Sequence, residues 1–206
     1  MALPGRSFCL GELMLIIQKK QYPLLAGTFI GSVCFGLSQN VIRKEMIMAI
    51  PASWMSLENV LFFLSLMGGS YFWNRIQSWM LRNYVRLEIA ETILISSMYI
   101  YFMLHWNPRA YYMVDLLYYV LVGSLIGRAA SAIKIRLFPG VQEKIDADNN
   151  FEFFASVSGI LGYGAAIFVE LPVFWCLLLF LVGDLFRTGA FLYTVCSQKT
   201  LLDAET

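Results

Sequence analysis

The chain has 206 residues, is 59 % hydrophobic, and sets 15 Lys and Arg against 14 Asp and Glu for a net charge of +1. Its mean hydropathy of +0.65 exceeds what a soluble domain of this size shows, so lipid is the expected solvent, and cations strung singly along the chain exclude a nucleic-acid partner. Cys9, Cys34, Cys176 and Cys196 show no CxxC spacing, and the single His105 stands beside Trp106 at the end of an apolar run; no disulfide framework, metal centre or cofactor is expected.

The first 21 residues read as a cytoplasmic or interfacial segment. Its apolar stretch from Phe8 to Ile17 lacks a small-residue cleavage site, is too short to span, and ends in Lys19 and Lys20, the pattern of a surface helix or an apolar tail. Residues 22–197 form the expected transmembrane domain. A crossing helix needs roughly 20 largely apolar residues, and six windows meet that demand: Tyr22 to Ile42, Ser53 to Trp73, Val85 to Trp106, Ala110 to Ile133, Phe151 to Leu171 and Val173 to Cys196. Pro51, Asn107-Pro108, Leu137-Phe138-Pro139-Gly140 and Pro172 mark the turns, because a helix ends readily before proline. Residues 198–206 form a cytoplasmic tail. The fold class is therefore an all-α integral membrane protein with a six-transmembrane-helix bundle.

Orientation follows the placement of Lys and Arg in short loops. With both termini inside, the cytoplasmic segments hold Arg6, Lys19, Lys20, Arg75, Arg82, Arg86, Arg128, Lys134, Arg136, Lys144 and Lys199, and the outer loops hold only Arg43, Lys44 and Arg109. The polar connection from Lys134 to Asn150 is expected to carry a short amphipathic surface helix. Small residues recur at four-residue spacing: Gly27 and Gly31; Gly123, Gly127 and Ser131; Ala155 and Gly159; Ser158 and Gly162. Such rows let helix backbones approach closely in lipid, and packing within the chain is the expected use.

The order of these features resembles one half of a major facilitator superfamily transporter. Six spans with both ends inside, a short basic loop after the second span and a longer cytoplasmic segment after the fourth carry the resemblance. In many family members a Gly-x-x-x-Asp-Arg motif closes the second span. Here Gly68-Gly69-Ser70-Tyr71-Phe72-Trp73-Asn74-Arg75 keeps the glycines and the arginine, with Asn74 where the acid would stand, so Gly69, Asn74 and Arg75 are the motif-like cytoplasmic loop. The stretch Arg128 to Gly164 is similar to the fourth-to-fifth connection of drug- and siderophore-exporter branches. Gly159, Gly162 and Gly164 sit where antiporters carry a glycine-rich motif, without its proline. The family fuses two such bundles around a central cavity and this chain has one. The resemblance therefore implies a homodimer, a pairing with a second half, or a chain that has lost transport.

Ionisable groups at bilayer depth are costly and are functional candidates by default. Asp184 falls near the middle of the sixth span with Arg187 at i+3 on the same face, so a substrate or proton role and a purely structural ion pair are both open. Asp115 in the fourth span and Glu91 in the third rank after them, with three roles open to each: carrying protons, reaching the interface, or meeting a hydroxyl such as Thr92 or a nearby tyrosine. Tyr118 and Tyr119 are either core packing or one wall of an amphiphile cavity. Glu58, Glu152 and Glu170 read as boundary residues, and Arg128 as a snorkelling one.

Two functions follow. One is a half-size carrier of a small solute in a bacterial inner membrane, acting as a homodimer or with a partner half. The other is a non-transporting accessory, immunity or exclusion protein that binds a second membrane protein. An enzyme is not expected, since no His/Asp/Glu cluster, Ser/His pairing or phosphate-cradling loop is present.

Overall fold

A computed structural model of the chain describes residues 21–118, 120, 124–138 and 140–197. Every regular element among them is a helix: α1 Tyr22–Ala49, α2 Ala52–Arg82, α3 Tyr84–Leu104, α4 Pro108–Tyr118, α5 Ser124–Leu137, α6 Val141–Ala166 and α7 Val173–Ser197. The expected surface segment before residue 21, the tail after residue 197 and Gly123 lie outside the described residues.

Helices α1, α3 and α7 are each long and apolar enough to cross a bilayer. Among the described residues, the helices in the other three expected spans do not combine that length with that apolarity. The second runs past Trp73 to Arg82, because nothing between Asn74 and Leu81 breaks a helix. The expected basic loop thus shrinks to Asn83, whose backbone N–H and side-chain amide both donate to the Trp79 carbonyl at 3.1 and 2.9 Å. Gly69, Asn74 and Arg75 consequently lie inside α2 and not in a loop. The fourth expected span is divided between α4 and α5. The expected surface helix is the first half of α6, which starts directly after Gly140 with Glu143 in its first turn, where an acid suits the helix dipole.

Helix α1 is the rod on which the bundle hangs, with α7 along one face and α6 along another. Both contacts are made by glycine. A Cβ on Gly27 would stand 2.6 Å from Ala190 Cβ, and one on Gly183 would stand 2.8 Å from Cys34 Cβ. On the α6 side, a Cβ on Gly162 would meet the Val33 carbonyl oxygen at 2.6 Å, and one on Gly36 the Tyr163 backbone nitrogen at 2.9 Å. Any larger residue drives these helices apart. The expected use of Gly27, Gly31 and Gly162 in packing holds, whereas Gly127, Gly159 and Gly164 face open space.

A buried amide pair fixes the start of α1 to α6: Asn150 donates to the Gln21 side-chain carbonyl at 2.9 Å. At the opposite end, Asn107 accepts the Arg109 and Ala110 amides at 3.1 Å and caps α4. Arg109 donates to the Ala49 carbonyl at 2.8 Å and Tyr112 to the Trp54 carbonyl at 2.7 Å, which ties α4 across the α1–α2 turn.

Two apolar clusters close the two ends of the bundle. Leu24, Met80, Tyr84, Ile133, Ala147, Phe191 and Val195 gather at one end. Ile42, Phe102, Tyr111, Cys176, Leu177 and Phe180 gather at the other. On α7 the stretch between them runs from Leu181 to Ala190, and on α3 from Val85 to Tyr101.

Candidate functional site

The charged side chains that α3 and α7 place between the two clusters form one polar layer. Asp184 and Arg187 stand one helical turn apart on α7 and form the ion pair expected from their spacing, with Arg187 Nη2 2.5 Å from Asp184 Oδ1. The Asp184 side chain is 16 % exposed, while that of Arg187 is 63 % exposed. Arg187 leaves α7 beside Gly31 of α1, whose missing side chain gives the arginine stem its room.

Glu91 on α3 lies within electrostatic range of Asp184 and Arg187. Its hydroxyl partner is Tyr118 at the end of α4. Thr92, the other hydroxyl in sequence reach, instead donates to the Glu88 carbonyl at 2.7 Å. One turn below Glu91, Glu88 accepts a hydrogen bond from Tyr84 at 2.6 Å and lies within electrostatic range of the Asp184–Arg187 pair.

Glu88 is the member that sequence reasoning missed. Its signal was available in the i, i+3 spacing of Glu88 and Glu91, which puts two carboxylates on one face of an apolar helix. The arrangement sets three carboxylates, Glu88, Glu91 and Asp184, against the single guanidinium of Arg187. Arg187 is committed to Asp184. Glu88 and Glu91 are held by neutral tyrosine hydroxyls, which stabilise charge without cancelling it.

Asp115, the remaining candidate, is exposed on α4 one turn before Tyr118. It lies within electrostatic range of Tyr99 and Tyr111, and of these Tyr99 also senses Asp184. Arg75 donates to the Tyr71 hydroxyl at 3.0 Å with its guanidinium 5.0 Å from that ring's centre, and stays exposed on α2. Arg128 does not extend along its own helix; it reaches from α5 to α2 and donates to the Leu66 carbonyl at 3.1 Å and to Ser70 Oγ at 2.7 Å.

No group of His, Cys, Asp and Glu among the described residues is arranged to hold a metal ion. An apolar groove of about 520 Å³ runs along α1 and α7 past Ala26, Ile30, Phe186 and Gly189, and none of the charged residues opens into it. No protein family, curated protein or solved structure matches this chain.

Proposed function

We propose that the chain is a half-size carrier with six membrane spans and cytoplasmic termini, resembling one half of a major facilitator transporter, which moves a small solute by alternating access as a dimer or with a partner half in a bacterial inner membrane. The observation that carries this reading is the polar layer of Glu88, Glu91, Tyr118, Asp184 and Arg187 between two apolar end clusters. An arginine in mid-helix, 63 % exposed on a helix apolar enough to cross a bilayer, is costly against lipid and is favoured where it borders water or protein. A cleft shared with a second half supplies both.

The charge balance of the layer favours a positively charged solute or a proton. Three carboxylates and one guanidinium in surroundings of low dielectric leave an excess of negative charge that only a bound cation or protonation relieves. The half-buried ring of Tyr118 beside Glu91 suits an apolar monocation.

Binding of tetraphenylphosphonium to the purified protein, followed by calorimetry, tests the reading. Glu91→Gln should weaken it at least about tenfold, the order expected when a charge-assisted contact becomes neutral. Wild-type protein that binds no cation and passes no protons in sealed vesicles overturns the proposal.

A second reading, a non-transporting module that binds another membrane protein, is favoured by one observation. Asp184 and Arg187 are paired within a single helix, as they would be if their only task were mutual neutralisation. Under it, Glu91→Gln lowers stability or partner binding and there is no flux to lose.

A further inference from the structure

Helices α2 and α6 are among those that keep a bare outer face. Helix α2 packs chiefly on α5, and α6 chiefly on α1. On the far side of α2 stand Leu64, 55 % exposed, and Tyr71, 61 % exposed, and on the far side of α6 stands Ile160, 72 % exposed. Neither helix is apolar enough to be counted a membrane span among the described residues. Lipid covers their apolar side chains, and what favours protein there instead is the small residues and charges on the same faces.

The two faces match in charge and in register. Gly68 lies at the middle of the α2 face and Gly159 at the middle of the α6 face, and a Cβ on either would meet nothing within 4 Å. Seven residues on from Gly68 comes exposed Arg75, and seven residues before Gly159 comes exposed Glu152. At 1.5 Å rise per residue, each charge stands about 10 Å from its glycine. Arg82 and Asp148, both exposed, lie further along in the same directions. Met80 and Ala147 belong to one cluster, so the basic end of α2 and the acidic end of α6 are at the same end of the bundle.

We infer that a second copy of this chain docks here, with α2 of one protomer antiparallel to α6 of its partner, Gly68 against Gly159 and Arg75 against Glu152. A two-fold axis along the bundle repeats the contact, since in an isologous dimer each protomer offers both faces. Glycine on both sides allows close backbone approach, and the opposite charges at matched depth fix direction and register. The inference rests on the carrier reading for its second half and narrows that half to another copy.

Charge exchange tests it. Arg75→Glu and Glu152→Arg, made singly, each place like charges across the contact twice and should raise the dimer dissociation constant at least about tenfold, read by native mass spectrometry with lipids retained. The double variant carries both exchanges in every chain and should recover the dimer. Gly68→Leu and Gly159→Leu, both at open positions, should leave the melting temperature of the monomer unchanged and abolish pairing. A wild-type monomer, or a dimer indifferent to all four single variants, overturns the inference, as does a double variant that folds but stays monomeric. Tetraphenylphosphonium binding, read on the same samples, separates the two proposals. Binding without this dimer overturns the docking face alone, and this dimer without binding overturns the carrier reading alone.

Discussion

At the scale of single residues, what separates the charged groups is the kind of partner each has. Asp184 has a cation, so most of its charge is answered within its own helix. Glu91 and Glu88 have tyrosines, which leave their charge for something else to answer. The ranking from sequence placed Asp184 first because depth was legible and partners were not. Depth follows from counting along an apolar run, whereas the meeting of Glu91 with Tyr118 depends on how α3 and α4 cross. Removing the acid from the α7 pair should therefore act mainly on stability. Asp184→Asn is expected to cost about 1 kcal/mol, the worth of a part-exposed pair. Exchanging both residues, Asp184→Arg with Arg187→Asp, should recover most of it in thermal denaturation. Equal loss in both variants with expression intact would point to a role beyond pairing.

At the scale of the helix, glycine decides which elements touch. Gly162→Ala puts a methyl against the Val33 carbonyl and the Gly36 backbone, and should destabilise the protein by about 1–3 kcal/mol, as overpacking does. Gly159→Ala, three residues earlier and facing open space, should leave the melting temperature unchanged or raise it slightly through better helix propensity. The two substitutions are chemically identical, so a measured loss in both would mean that α6 is turned differently on α1. Small-residue rows were visible in the sequence, but not which row was used: Ala155 and Gly159 read as well as Ser158 and Gly162. The face is set by rotation of the whole helix about its axis, to which the buried Asn150 beside Gln21 contributes. Boundaries failed for a related reason. A hydropathy window ends where apolar residues end, and a helix ends where its backbone bonds end, so α2 runs on through Arg75 to Arg82 and α6 begins ten residues before Phe151.

At the scale of the molecule, helices occupy most of the described residues of the expected windows, the fourth being divided between α4 and α5 and the fifth ending at Ala166, and three helices are apolar enough to cross a bilayer. The composition made an all-helical protein legible, because a chain in lipid must satisfy its backbone groups within each segment. The order of packing was not legible. Nothing in the hydropathy profile places α1 between α6 and α7, since that arrangement comes from steric fit between distant stretches.

That arrangement has a consequence for how the protein is made. Helix α1 leaves the ribosome well before α6 and α7, the two helices that cover its glycine faces. At 5–20 residues per second, the bare faces of α1 wait roughly 6 to 30 seconds for α6 and α7. During that interval Gly27, Gly31 and Gly36 are a docking strip open to any other apolar helix, including the same strip on a neighbouring nascent chain. The feature that gives the finished bundle its tightest seam is thus also the point at which synthesis is most exposed to mispairing.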